Sequence, residues 1–110
     1  MARFIKGDVV IVPFPFSDLT KSKRRPALVI SNLKGDDIIL CQITSQNIFD
    51  KYSISLKNED FQDGSLKRPS NIRPNRIFTA DIHIILYKAG TIKNEKIEEV
   101  INKIIVIIKS

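Results

Sequence analysis

Two side chains in the first half of the chain, those of Arg25 and Thr44, have the chemistry to hold a phosphate in its transition state. Arg25 precedes Pro26, which pushes it toward extended geometry where a polar loop meets an apolar strand. A guanidinium presents a rigid fork of donors that suits a phosphate, and preorganised donors aimed at developing charge contribute roughly 3 kcal/mol each. Thr44 adds a hydroxyl, so the pair indicates phosphoryl chemistry.

A predicted β-hairpin brings these two residues together. Apolar residues 27–30 predict one strand and residues 38–43 the next, with a Gly-Asp turn signal between them. In an antiparallel pair, the start of one strand lies beside the end of its neighbour. We therefore expect Arg25 and Thr44 at the same end of the hairpin.

The rest of the chain favours further short strands followed by one helix. Residues 8–12 predict a first strand, buried on both faces, that ends or becomes an edge at Pro13 and Pro15. Along the chain, strands are also predicted at 52–56, 70–73 and 77–81, a loop at 17–24, a turn or loop at 57–66, and either a strand or a short helical turn at 82–87. This order favours a small, partly open antiparallel barrel over a helical bundle.

The C-terminal residues predict the helix. Asn94 is placed as its N-cap, and apolar residues recur at helical spacing at Ile97, Val100, Ile101, Ile104, Ile105 and Ile108. Residues 104–108 are apolar on every side, which fits burial against both the barrel and a second subunit. Their β-branched side chains would also allow a strand.

The composition restricts the class of protein. The 110 residues give room for one domain, residues 1–110, and the formal net charge of +6 favours an anionic partner. Charge alone does not separate RNA, DNA and an acidic protein. Cys41 is the only cysteine, so no internal disulfide forms, and its apolar neighbours predict a buried thiol in a reducing compartment, the cytoplasm.

We expect neither a membrane segment nor a metal site. Charged residues interrupt residues 1–8 too early for the apolar segment of a signal sequence. No apolar run approaches the roughly 20 residues that span a bilayer. One cysteine and one histidine at distant positions give no metal-ligand spacing, and Asp36 with Asp37 fits a turn. The sequence therefore predicts no metal and no other cofactor, and we interpret His83 as a surface or interface residue.

Four stretches of the chain, taken in order, resemble the MazF/PemK (Kid) family of toxins. They are residues 7–12, 24–31 (Arg-Arg-Pro-Ala-Leu-Val-Ile-Ser), 43–45 and 70–77, and with the helix they cover nearly the whole chain. Members of this family are small, metal-independent endoribonucleases of bacterial toxin–antitoxin pairs. The resemblance implies a mainly β fold with one α-helix, an SH3-like barrel that forms a homodimer across its sheet. It also implies single-stranded RNA and a cognate antitoxin as partners.

The resemblance further implies roles for particular residues. Arg25 and Thr44 would be catalytic. Arg25 would mainly stabilise charge and only secondarily transfer a proton, because a guanidinium stays protonated in proteins and is a poor base. The RNA-binding residues would be Lys21, Lys23, Arg24, Ser45, Gln46, Arg73, Asn75 and Arg76. Phe14 and Phe16 would either stack on bases or pack in the core or a dimer interface.

Two departures from the family pattern concern the general base. Asn75 occupies the position of an aspartate that serves as a base in some members, and the loop before Arg24 lacks the glutamate of many relatives. Asp18 could replace that glutamate. Because of these departures, a second function remains open: a barrel that binds nucleic acid without cutting it. A non-enzymatic toxin resembling the gyrase inhibitor CcdB is disfavoured, because that family closes with Trp-Gly-Ile and this chain has no tryptophan.

Overall fold

The computed structural model describes residues 4–14, 23–48 and 50–110, which form seven strands, two short 3₁₀ turns and one α-helix. The strands are β1 (Asp8–Phe14), β2 (Lys23–Asn32), β3 (Asp37–Thr44), β4 (Ile54–Leu56), β5 (Phe61–Gly64), β6 (Ser70–Asp81) and β7 (Tyr87–Ile92). The 3₁₀ turns are Asn58–Asp60 and Ile82–Ile84, and helix α1 is Asn94–Lys109.

The seven strands join one antiparallel sheet in the order β4-β6-β3-β2-β1-β7-β5. The sheet curls into a half-barrel, and the helix follows it at the C-terminal end of the chain. This confirms the predicted small barrel with a C-terminal helix. Within the described residues, no helix is long and apolar enough to cross a membrane.

Both faces of the sheet are apolar, because side chains alternate along each strand. The inner face includes Val9, Leu28, Cys41 and Ile72, and it packs against Ile97, Val100 and Ile104 of the helix. The outer face includes Val10, Val12, Ala27, Val29, Ile38 and Leu40, with Phe4, Phe78 and Ile82 packed against it. Strand β1 contributes to both faces, as its unbroken apolar run predicted.

Strand β1 continues beyond Pro13 but loses one neighbour there. Its pairing with β7 covers Asp8 to Ile11, whereas its pairing with β2 covers Val9 to Phe14. Within the described residues, the strand therefore becomes an edge on the β7 side near Pro13, as the missing proline donor predicted. Pro15 lies outside the described residues.

Strand β6 runs through Pro74, where the sequence predicted two separate segments. Cys41 of β3 pairs with Ile77, but its neighbour Gln42 pairs with Arg73, so residues 74–76 bulge out of the ladder. A bulge accommodates a proline because the residue there needs no ladder hydrogen bond. Both predicted segments exist, joined in one strand.

The prediction of a turn or loop at 57–66 holds for the 3₁₀ turn but is wrong for β5, and β7 was not predicted. The 57–66 segment contains a 3₁₀ turn and β5, and β5 pairs with β7. The two strands approach closely, since a Cβ added at Gly64 would lie 2.2 Å from the carbonyl oxygen of Ala89. The ambiguous 82–87 segment forms the second 3₁₀ turn and then the first residue of β7.

Helix α1 begins at Asn94 and its N-cap is Lys93, so the prediction of Asn94 as the N-cap was wrong by one residue. The Lys93 N–H donates to the carbonyl oxygen of Asp60 at 2.8 Å, which anchors the chain just before the helix. The last turns carry exposed apolar side chains at Ile105, Val106 and Ile108. The barrel of a single chain therefore leaves much of 104–108 uncovered.

Candidate active site

Arg25 and Thr44 lie at the same end of the β2–β3 hairpin. Ala27 pairs with Gln42, and the antiparallel register continues from there toward Arg25 on β2 and Thr44 on β3. Both residues line a cleft of about 310 Å³ together with Phe14, Lys23, Gln42, Ile43 and Gln46. The predicted juxtaposition of Arg25 and Thr44 is confirmed.

The cleft lies at the edge of the outer face of the sheet. Because side chains alternate, Arg25 shares the face of Ala27, and Thr44 shares the face of Leu40. Asn71 of β6 pairs directly with Thr44. A row of polar side chains therefore crosses three adjacent strands, and the strands hold it on a rigid base.

A hydrogen-bonded turn orients the Thr44 hydroxyl. Its Oγ1 accepts the backbone N–H of Gln46 at 3.2 Å, and the Gln46 carbonyl accepts from Nδ2 of Asn71 at 3.0 Å. Because Oγ1 accepts in this turn, the hydroxyl proton is available for an oxygen of a ligand. Asn71, which the sequence analysis missed, thus fixes the turn that positions Thr44.

Arg73 is held by an acidic partner that the sequence analysis also missed. Its Nη2 lies 3.3 Å from Oδ2 of Asp50, and the two side chains are 17% and 29% exposed. Asp50 is itself fixed, because its Oδ1 accepts the backbone N–H groups of Tyr52 and Ser53 at 3.0 and 2.9 Å. Arg73 is the cross-strand neighbour of Gln42, so this ion pair adjoins the Arg25 cleft.

The pKa of Asp50 lies below its usual range. Desolvation raises this pKa, but the N–H groups of Ser53 and Tyr52, together with the hydrogen bond and charge of Arg73, lower it further than desolvation raises it. Asp50 is therefore ionised at neutral pH, which suits a partner for Arg73 better than a proton acceptor. The Nε of Arg73 is buried and has no hydrogen-bond partner among the described residues.

Three of the other predicted RNA-binding residues surround the same outer face. Lys23 and Gln46 line the Arg25 cleft, and Arg76 lines a neighbouring cleft of about 330 Å³. Phe14 borders both clefts and packs against Phe78, with their ring centroids 6.0 Å apart. Base stacking on Phe14 stays a prediction.

The remaining predicted RNA-binding residues are not gathered into this cleft. Arg24 and Ser45 line a different cleft that also contacts Arg25 and Thr44. Asn75 is exposed in the β6 bulge. Lys21 lies outside the described residues, as do Asp18 and Phe16.

Cys41 is buried, as predicted, and does not act as a nucleophile. Burial raises the pKa of its thiol to about 12, although a backbone hydrogen bond with Arg73 opposes that rise. The thiol is therefore protonated at neutral pH, and thiolate is the reactive form.

His83 is exposed, as predicted, and forms part of an acidic turn. Its Nδ1 lies 2.6 Å from Oδ1 of Asp81, which also accepts the His83 N–H at 2.8 Å. These contacts lower the pKa of Asp81, the backbone N–H most strongly. Asp36 lies in the predicted turn, and its carboxylate comes within 4.8 Å of both groups. This cluster is at the β2–β3 turn, the opposite end of the hairpin from Arg25.

Comparison with known proteins gives a family match over almost the whole chain. The matching family model is described as PemK-like, MazF-like toxin of type II toxin–antitoxin system, and it covers residues 5–108. A search of curated protein sequences finds no match.

Solved structures share the fold at low sequence identity. MazF (form I) from Deinococcus radiodurans has a TM-score of 0.77 and 18% identity, with 100% of both chains covered. A MazE–MazF complex (form II) from the same organism has a TM-score of 0.76 and 17% identity, covering 98% of this chain and 97% of that one. An endoribonuclease in complex with its cognate antitoxin from mycobacterial species has a TM-score of 0.77 and 11% identity, covering 97% and 96%. At these identities the likeness establishes the fold.

Proposed function

We propose that this chain, which belongs to the PemK-like, MazF-like toxin family of type II toxin–antitoxin systems, is an endoribonuclease that cleaves single-stranded RNA without a metal ion. The observation that carries the proposal is the placement of Arg25 and Thr44 at one end of the sheet, where they line the same cleft of about 310 Å³. A structural neighbour that is named an endoribonuclease supports the same activity.

The chemistry uses the nucleophile that RNA itself supplies. The 2′-hydroxyl attacks the adjacent phosphorus and loses its proton as the new O–P bond forms, and the 5′ oxygen gains a proton as its bond to phosphorus breaks. The phosphorane between these steps carries extra negative charge on its oxygens. Arg25 meets that charge with guanidinium donors and Thr44 with its hydroxyl proton. The products are a 2′,3′-cyclic phosphate and a 5′-hydroxyl.

Arg73, positioned by Asp50, binds the RNA backbone beside the scissile phosphate. Asp50 fixes the guanidinium before RNA arrives, which lowers the entropy lost on binding. Further contacts to phosphate and base come from Lys21, Lys23, Arg24, Ser45, Gln46, Asn75 and Arg76. Because the lysines and arginines among them neutralise phosphates and release counterions, the affinity for RNA should fall as the salt concentration rises.

The proposed partners are a cognate antitoxin and a second copy of the chain, in the cytoplasm. Two structural neighbours are complexes with an antitoxin or with MazE. The net charge of +6 favours an acidic, partly disordered antitoxin that folds over the basic cleft. The exposed apolar side chains of Ile105, Val106 and Ile108 support a homodimer, with the RNA groove running across the interface.

Incubation of the purified protein with a long RNA in EDTA tests the proposed activity. We expect internal cuts in single-stranded regions, and none with an identically prepared Arg25→Ala variant, which controls for contaminating nucleases. Uncut RNA that still binds the protein would identify a nucleic-acid-binding barrel. Uncut RNA without binding would identify a toxin that acts through a protein.

A further inference from the structure

A second cleft opens on the other side of Arg25 and Thr44, at the open end of the half-barrel. Its volume is about 540 Å³, within the range of roughly 300–1,000 Å³ for small-molecule sites. We call it the barrel mouth. It is lined by Ile11, Arg24, Arg25, Pro26, Ile43, Thr44, Ser45, Ser65, Leu66, Lys67, Arg68, Ser70, Tyr87, Lys88 and Ala89. Since Arg25 and Thr44 line both clefts, a chain bound at this pair can continue into either one.

The barrel mouth is strongly cationic. Besides Arg25 it has four basic residues, Arg24, Lys67, Arg68 and Lys88, and no carboxylate among its lining residues. The Nζ of Lys88 lies 4.0 Å from a carboxylate oxygen of buried Asp8. Within the described parts of the chain, the other three basic side chains form no ion pair. These unpaired charges favour an anionic ligand.

The barrel mouth also offers an aromatic surface. Tyr87 is 52% exposed, and the apolar side chains of Ile11, Pro26 and Ala89 line the same cleft. Exposed aromatic rings surrounded by cations are the combination that binds single-stranded nucleic acid, because bases stack on the ring while phosphates contact the charges. An acidic peptide would use the cations but has no comparable need for the ring.

We infer that the barrel mouth is a second nucleotide-binding subsite, which holds the nucleotide next to the scissile phosphate. Its base stacks on Tyr87, and its phosphates contact Lys67, Arg68 and Arg24. The inference rests on the proposed function, because the shared wall formed by Arg25 and Thr44 is what connects the subsite to the cleavage site. This subsite extends the path of the bound RNA from the outer face of the sheet to the inner side of the barrel.

The test measures binding of a mixed-sequence RNA 20-mer with 2′-O-methyl riboses, which binds but has no free 2′-hydroxyl to attack. Tyr87→Ala is expected to weaken its affinity about tenfold, within the range provided by stacking of one base. Tyr87→Phe, which keeps the ring, should restore affinity. The double variant Lys67→Ala/Arg68→Ala should weaken binding and reduce its salt dependence.

Matched controls separate these effects from general changes in charge or surface. Leu86→Ala removes an exposed apolar side chain next to Tyr87 in sequence but outside the residues that line the barrel mouth. Lys6→Ala/Lys34→Ala removes two exposed cations elsewhere, so it matches the change in net charge. Both controls should bind like the wild type.

Unchanged oligonucleotide affinity in Tyr87→Ala and in Lys67→Ala/Arg68→Ala would overturn the subsite, as would wild-type protein that does not bind the oligonucleotide. A loss of affinity for an acidic peptide without a loss for RNA would assign the barrel mouth to a protein partner and also overturn it. The cleavage assay in EDTA is a separate readout. If wild type binds through Tyr87 but cuts no RNA, the proposed function fails, and the barrel mouth remains a nucleotide-binding site with no cleavage site beside it.

Discussion

Arg25 is the residue on which the proposed catalysis depends most. Its guanidinium projects from the start of a rigid strand into the cleft that Thr44 also lines, so it is preorganised for charge that develops on the phosphate. We predict that Arg25→Ala lowers kcat/KM for RNA at least about a hundredfold, the usual cost of removing one such donor. Because Arg25 is only partly buried, the variant should retain its fold, which circular dichroism can check.

The matched control for Arg25→Ala is Lys34→Ala, an exposed cation at the opposite end of the β2–β3 hairpin. It removes the same charge at a distance from the cleft and should cleave RNA at the wild-type rate. Near wild-type cleavage by a folded, nuclease-free Arg25→Ala preparation would remove Arg25 from the site.

Asp50 gives the stability of the protein a defined pH dependence. Its pKa is lower in the folded state than the usual value of about 3.9, so its contribution is present above that value and is lost as pH falls through the folded pKa. We predict that Asp50→Asn is less stable than wild type at pH 7 and that the difference shrinks below about pH 4. Urea unfolding of both proteins from pH 7 to pH 2.5 measures it. A difference that stays constant across this range would show that the Asp50 charge does not stabilise the fold.

The sequence predicted some site residues and missed others for a physical reason. Arg25 and Thr44 belong to short local motifs at strand ends, and hairpin geometry then places them together. Asp50 and Asn71 act through partners 23 and 25 residues away in the chain, so no local pattern marks them. Their roles depend on the β3–β6 register and on the turn after β3, which only the folded structure supplies.

At the scale of elements, the pairing of β5 with β7 depends on glycine. Gly64 has a φ of +73°, and an added Cβ would lie 2.2 Å from the carbonyl oxygen of Ala89. We predict that Gly64→Ala destabilises the protein by more than the roughly 1–3 kcal/mol of a left-handed non-glycine residue alone. Chemical denaturation of wild type and variant measures the change.

Gly35→Ala is the matched control for this crowding. Gly35 has a φ of +77° but nothing within 4 Å of an added Cβ, so the substitution carries the backbone strain without the clash. Equal destabilisation by the two substitutions would show that the β5–β7 contact tolerates a methyl group.

This pairing also explains why β5 and β7 were not predicted. Strands β5 and β7 contain Asp63, Gly64 and Gly90, which are typical of turns when the sequence is considered locally. The pairing of β5 with β7, and of β7 with β1, overrides that tendency. In contrast, β1, β2 and β3 lie in the centre of the sheet, and their buried apolar runs make them predictable from sequence alone.

At the scale of the whole molecule, the end of the helix predicts self-association. Ile105, Val106 and Ile108 are 44%, 64% and 68% exposed, although the same helix buries Ile97, Val100 and Ile104 in the barrel. We predict that light scattering gives twice the chain mass of 12.5 kDa at micromolar concentration. Val106→Glu should shift the protein toward the monomer, because it places a charge in an apolar interface.

Glu98→Gln provides the control, since it alters an exposed charge in the same helix outside its apolar end. It should leave the mass unchanged. A wild-type monomer under these conditions would exclude the homodimer and, with it, a groove that crosses between two copies.

The proposal as a whole depends on the RNA's own 2′-hydroxyl being the nucleophile. The most direct test replaces the single ribose on the 5′ side of a mapped scissile phosphate with deoxyribose and measures both binding and cleavage in EDTA. We predict that the substituted strand binds nearly as well, because its phosphates are intact, but is not cut at that bond. The unsubstituted strand should give a 2′,3′-cyclic phosphate and a 5′-hydroxyl. Continued cutting at the deoxy position, or products with a 5′-phosphate, would contradict the mechanism and identify water as the nucleophile.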